Sequence, residues 1–277
     1  MIKNFVFIFL ILFYELVFSS QDNALPSCYA VAKLQQPRSP EIEIFVAIDQ
    51  TTPFDSKLKQ QVADSIRHFL APGNAFTIFE FSAFIQGRYV NVVASGKLDP
   101  PMDATKRNDV PKIDLAKFDR CMATAPKYAA VLVGQALRTI FDASSSRIAK
   151  SDILAALKEI SKRVRDSNAR EKVVLVASDM LENSSITSFY QKNSVRKIDP
   201  EVEIKKAVES GMVGDFGGAR VYVIGAGVLD EKKVSTKGVY HDPKTMAALE
   251  FFWRNWFSKS NANLVAFGAP ALLVPVQ

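Results

Sequence analysis

Three almost wholly apolar runs set the strongest limit on the fold: IEIFVAI (Ile42 to Ile48), VVLVAS (Val173 to Ser178) and VYVIGAG (Val221 to Gly227). A strand with one wet face alternates apolar and polar residues, whereas a run that is apolar at almost every position belongs to a strand covered on both faces. Segments of helical period lie between these runs. Leu58, Val62, Ile66, Phe69 and Leu70 form one, stopped by Pro72–Gly73. A second helix spans about Tyr128 to Ala143, and a third starts near Ser151 with Ile153, Leu157, Ile160 and Val164 on one face. Asp199–Pro200 and Asp242–Pro243 each open a further helix as an acid cap followed by a first-turn proline. The last of these buries Met246, Leu249, Trp253 and Trp256. FTIFEFS (Phe76 to Ser82) and YVNVVA (Tyr89 to Ala94) are joined by the short link AFIQGR and read as an antiparallel hairpin; NLVAF (Asn263 to Phe267) supplies a last strand. The expectation is an α/β fold: a doubly wound, mostly parallel six-stranded sheet with one antiparallel strand and helices on both faces. Ser95 to Pro126, polar and proline-bearing, reads as irregular.

The two ends of the chain differ in kind. MIKN carries a lysine, FVFIFLILFYELVF is almost wholly apolar, and VFSSQDNA is small and polar, the three-part plan of a secretory signal. Residues 1–20 are assigned to that signal, with an uncleaved signal-anchor as the alternative; Glu15 interrupts the apolar run, which is short for a membrane span. Residues 21–40 form a lead-in containing Cys28, and residues 41–277 a single domain. The expected location is periplasmic or secreted. There an even pair of cysteines, Cys28 and Cys121, closes a disulfide worth ~4 kcal/mol for so long a loop, two separate buried thiols being the alternative.

The net charge of +6 survives signal removal, which takes away one lysine and one glutamate. Basic residues are interleaved with acids, as in KEISKRVRDSNAREK, and no aromatic platform accompanies them, so nucleic acid is not an expected partner. A mildly basic surface suits peripheral association with an anionic envelope instead. DFGGAR lacks the rest of a kinase signature, and GAGVLD lacks the third glycine of a dinucleotide loop. The only histidines, His68 and His241, have no neighbours suited to general base catalysis. No nucleophile elbow is present, and the chain is not read as an enzyme.

In doubly wound sheets ligands gather outside the carboxyl ends of the strands, where strand order reverses. For the order 3-2-1-4-5-6 that point lies between the first and fourth strands, which end in Asp49 and Asp179. The stretch DQTTP and the order of elements resemble the von Willebrand factor A domain across residues 41 to 270. That family often holds a divalent cation through an Asp-x-Ser-x-Ser motif, a later Thr and a later Asp, and a partner's carboxylate completes the coordination. The resemblance places Asp49 and Thr51 in the first two positions, Ser151 (or its neighbour Asp152) in the third and Asp179 in the last. Pro53 stands where a second hydroxyl belongs, and Asp179 is followed by Met180 rather than glycine. Such oxygen ligands suit Mg²⁺ or Mn²⁺. The loop after the fourth strand, with Glu182, Asn183, Ser184 and Ser185, is the expected partner-binding loop. The resemblance thus implies an exported module that binds a protein presenting an acidic residue. The alternatives are a metal-dependent hydrolase at the same edge and a metal-free structural subunit of an envelope assembly.

Overall fold

A computed structural model describes residues 24–35, 39–82, 90–145, 151–191, 194–229 and 242–277. The signal assigned to residues 1–20, the hairpin link Ala83 to Arg88 and His241 lie outside them. In chain order the elements are α1 (Cys28–Val31), β1 (Ile42–Asp49), α2 (Ser56–Arg67), β2 (Ala75–Phe81), β3 (Val90–Lys97), α3 (Ala104–Arg107), α4 (Lys112–Ala143) and α5 (Ile153–Asp166). They continue with β4 (Glu171–Ala177), β5 (Tyr190–Gln191), β6 (Ser194–Val195), α6 (Pro200–Glu209), β7 (Ala219–Ile224), α7 (Pro243–Lys259) and β8 (Ala262–Phe267).

Six strands form one sheet in the order β3-β2-β1-β4-β7-β8, and β5 pairs with β6 in a separate small hairpin. Only the β2–β3 pair of the large sheet is antiparallel. Without the small hairpin this is the order 3-2-1-4-5-6 expected from the sequence, with the antiparallel member third. The pleat sends alternate side chains to opposite faces. Phe45 and Ala47 of β1, with Val174 and Val176 of β4, meet α5, α6 and α7 on one side. Ile44, Val46 and Ile48, with Val173 and Leu175, meet α2, α4 and the C-terminal Leu272 and Val276 on the other. Both faces are therefore dry, which explains why the sequence of these strands does not alternate.

Trp253 and Trp256 are fully buried, and their indole N–H groups donate to the carbonyls of Met180 (2.8 Å) and Met212 (2.7 Å). They are core, as their shared face with Leu249 indicates. A third, smaller cluster of Cys28, Tyr29, Ala32, Met102 and Phe118 packs α1 against the first half of α4. The Cys28–Cys121 disulfide lies at its edge, with a Cα separation of 5.4 Å. Asp99 completes the anchor by accepting from the Ser27 hydroxyl and the Cys28 N–H, each at 2.7 Å.

Two sequence-based expectations need correction. The segment to Pro126 is not irregular throughout, because α4 begins at Lys112 and carries Cys121 and Pro126 inside it. Leu115, Phe118, Met122 and Ala125 recur at helical spacing and pack toward α1. That burial, together with the disulfide, offsets the roughly 3 kcal/mol that an interior proline costs. The cap of α5 is Asp152 rather than Ser151: its carboxylate accepts from the Ala155 N–H at 3.4 Å.

Candidate functional site

The order of strands reverses between β1 and β4, and there the sheet's carboxyl edge gathers an acid cluster. Asp49 ends β1 with 1% of its surface exposed. Its Oδ1 accepts from the Thr51 N–H (2.8 Å) and the Thr51 hydroxyl (2.6 Å), a local turn closed by the side chain. Its Oδ2 accepts from the hydroxyls of Ser178 (2.8 Å) and Ser151 (3.1 Å). Burial pushes the Asp49 carboxyl above the ordinary aspartate range, and these four hydrogen bonds oppose the shift.

Asp179, 3% exposed, follows β4 by two residues. Its Oδ1 accepts from the Leu181 N–H at 2.8 Å, and its Oδ2 accepts from the Tyr190 hydroxyl. Burial first, and the charge of Asp49 second, push its pKa up to about 7. Neither carboxylate forms an ion pair among the described residues. The structure therefore brings together Asp49, Thr51, Ser151 and Asp179, the four residues singled out in the sequence. It leaves Asp152 to cap the helix.

That division of labour has a local cause. The first turn of α5 has two of its N–H groups taken by acids: Ala155 donates to Asp152, and Leu154 donates to Glu182 Oε2 at 2.9 Å. The Ser151 hydroxyl is left to Asp49. The Ser151 carbonyl accepts from the Asn183 N–H at 2.8 Å, which ties the start of α5 to the loop after β4.

The loop expected to meet a partner is only partly outward. Glu182 is fully buried, Asn183 and Ser184 are half-buried, and Ser185 is exposed. Burial pushes the Glu182 carboxyl up to about 8, with the Ser184 hydroxyl and the α5 N–H groups opposing. Its Oε1 has no hydrogen-bond partner of good geometry. Beyond Ser185 the loop is anchored by α6. The Thr187 hydroxyl and the Arg196 guanidinium both donate to the buried Glu203, each at 2.6 Å, and Arg196 lies 5.7 Å from the centre of the Phe189 ring. This anchoring sets the position of Tyr190.

Sequence reasoning missed three members of the cluster: Ser178, Thr52 and Tyr190. Ser178 directly precedes Asp179 in VLVASDML, so its place at the strand end was legible. Thr52 is buried and accepts from the Asp179 N–H at 3.4 Å, while Pro53 points to solvent. The hydroxyl absent at Pro53 is thus supplied to the second acid from one residue earlier. Nothing in the spacing of Tyr190 announces its contact with Asp179. Elsewhere, His68 is exposed at the end of α2 and stacks near Phe69. DFGGAR is the turn before β7, in which Asp215 Oδ1 accepts from the Gly217 N–H.

Two carboxylates and the hydroxyls of Thr51, Thr52, Ser151 and Ser178 make a donor set of hard oxygens. That chemistry fits Mg²⁺ or Mn²⁺, with waters completing the shell. Among the described residues no group of three or more His, Cys, Asp or Glu is placed to hold a metal, so any ion here would rest on hydroxyls and waters beside the two carboxylates. No protein-family model matches the chain, and no curated protein matches it. Solved structures do match. One is the crystal structure of an aerotolerance-related membrane protein from Bacteroides fragilis NCTC 9343, carrying multiple mutations to serines. It is similar over 82% of this chain and 90% of that one, at 10% identity and a TM-score of 0.36. A likeness of that size says nothing about the site, whose reading rests on its own geometry.

Proposed function

We propose that the chain is an exported binding module of the von Willebrand factor A type. In this reading the carboxyl edge of the sheet recognises a protein partner through Mg²⁺ or Mn²⁺ held by Asp49, Thr51, Ser151 and Asp179. The observation that carries it is the pair of buried carboxylates, which repel each other and form no ion pair among the described residues. A divalent cation removes that repulsion and supplies, when bound, an open coordination position for an acidic group of the partner. Ser178 and the Thr51 N–H keep Asp49 oriented, and Thr52 steadies the turn after β4. Tyr190 shields Asp179 from water and would release it to the cation. Ser185, with Asn183 and Ser184 beside it, offers the outward contact, while Glu182 holds the loop to α5.

The metal-free alternative, a structural subunit, is favoured by one specific feature: both oxygens of Asp49 are already filled by hydrogen bonds. Titration calorimetry with Mg²⁺ and Mn²⁺ at pH 8 separates the two, with Asp49→Asn and Asp179→Asn beside the parent. The expected result is saturable binding that either substitution abolishes while circular dichroism stays unchanged. Absence of binding in the parent at that pH sinks the cation reading. Turnover of a substrate that stops on chelation would move the assignment to a hydrolase.

A further inference from the structure

Helix α4 has 32 residues, roughly 48 Å of rise, and is far longer than any strand it covers. Phe118, Ala129, Val133, Ala136, Leu137, Ile140 and Phe141 mark its buried side. On the opposite side Ile113, Lys117, Arg120, Lys127, Val131 and Arg138 follow one another at helical intervals, all exposed, with Tyr128 beside them. Ile113 is 70% exposed, Tyr128 65% and Val131 58%. The acids of the helix neutralise only part of this stripe. Asp114 is engaged with Lys117 at 2.9 Å, Asp119 is paired with Arg107 of α3 at 2.8 Å, and Asp142 lies at the far end. Arg120, Lys127 and Arg138 form no ion pair among the described residues.

We propose that this face of α4 lies on an anionic lipid surface, parallel to the plane of the headgroups. Large exposed side chains that cost free energy in water sit between long basic ones. Tyrosine places a ring at the headgroup level, and lysine and arginine lay apolar stems against lipid while their charges meet phosphate. No helix among the described residues is long and apolar enough to cross a membrane, and α4 with its charges is suited to lie along one. The stripe is exposed along its length. The grooves beside α2 and beside the amino end of β2 do not involve it, so it offers a plane rather than a pocket. Its net positive charge matches the +6 of the chain.

The test uses the full chain carrying Tyr128→Trp, with vesicles of phosphatidylcholine alone or mixed with phosphatidylglycerol, and bromine-labelled acyl chains as quencher. The two native tryptophans are fully buried and give a constant background. The expected result is quenching of the new tryptophan in the mixed vesicles and none in the neutral ones, with reversal at high salt. Combining Arg120→Gln, Lys127→Gln and Arg138→Gln should weaken the lipid dependence by about a hundredfold, at about fivefold for each basic residue near the surface. This readout follows α4 itself, whatever residues 1–20 do in the bilayer. No quenching in mixed vesicles, or equal quenching in neutral ones, overturns the proposal. So does quenching that survives the triple substitution. A lipid-independent spectral shift that grows with protein concentration would assign the face to a second copy of the chain and overturn it equally.

Discussion

At Asp179 two penalties act on one carboxyl group, removal from water and the nearness of Asp49. Its pKa of about 7 in the fold stands above the ordinary 3.8, so the folded state holds this proton more tightly than the unfolded chain does. The resulting stabilisation is complete below about pH 4 and is lost progressively as the pH rises to about 7. Glu182, raised from 4.5 to about 8, acts in the same direction over a slightly higher range. Asp179→Asn cannot ionise, yet its amide can accept from Leu181 and donate to the Tyr190 oxygen. In chelator, the variant should be more stable than the parent at pH 8 by about 1–2 kcal/mol and about equal to it at pH 5. Urea unfolding at the two pH values measures this, and a variant equally destabilised at both would show that Asp179 is not strained by charge. At this scale the sequence was a partial guide. Asp49 and Asp179 were legible because strand ends at a topological switch point are where side chains converge. Tyr190 was not, because its contact depends on how the 181–191 loop folds back, held by Arg196 and Glu203 at a distance no local pattern encodes.

Elements position these residues through a few backbone devices. Gly225, just past β7, has φ +97°, and a β-carbon there would stand 2.3 Å from Cζ of Phe54. That ring belongs to the DQTTPF turn, so the packing of β7 against the turn after β1 requires glycine. Gly225→Ala should destabilise by about 2 kcal/mol or more, through both the backbone conformation and the overlap, as a fall in the urea midpoint at unchanged slope. A loss under about 0.5 kcal/mol would mean the ring has room to turn aside. Strands and most helices were readable from periodicity, since β1 and β4 are dry on both faces and α2, α5 and α7 carry one apolar side each. The first half of α4 escaped because Pro126 and the run of charges from Lys106 to Arg120 resemble a loop, and because the partners that bury Phe118 and Cys121 come from α1, some 90 residues away. The sequence placed the start of α5 near Ser151 without separating it from Asp152 as the cap, for a related reason. Serine and aspartate are equally good caps, and only the tertiary pull of Asp49 on Ser151 decides between them.

For the whole molecule, the disulfide closes 93 residues that contain β1, β2 and β3, half of the large sheet. Cys28→Ser with Cys121→Ser should lower stability by about 4–5 kcal/mol, read as a drop in melting temperature with the native circular dichroism retained. A drop of less than a degree would mean that the α1–α4 cluster holds the lead-in without it. The other half of the sheet, β4, β7 and β8, lies outside that loop, and the strand pairing that joins the two halves is that of β1 with β4. The Ser178–Asp49 hydrogen bond across this seam spans 129 residues, so it belongs with the late, long-range events of folding. Closing that seam is what brings the Ser178 hydroxyl and the charge of Asp179 to Asp49. The mutual repulsion of the two acids is therefore not an obstacle along the folding route. It arises where β1 pairs with β4, and the folded molecule bears it.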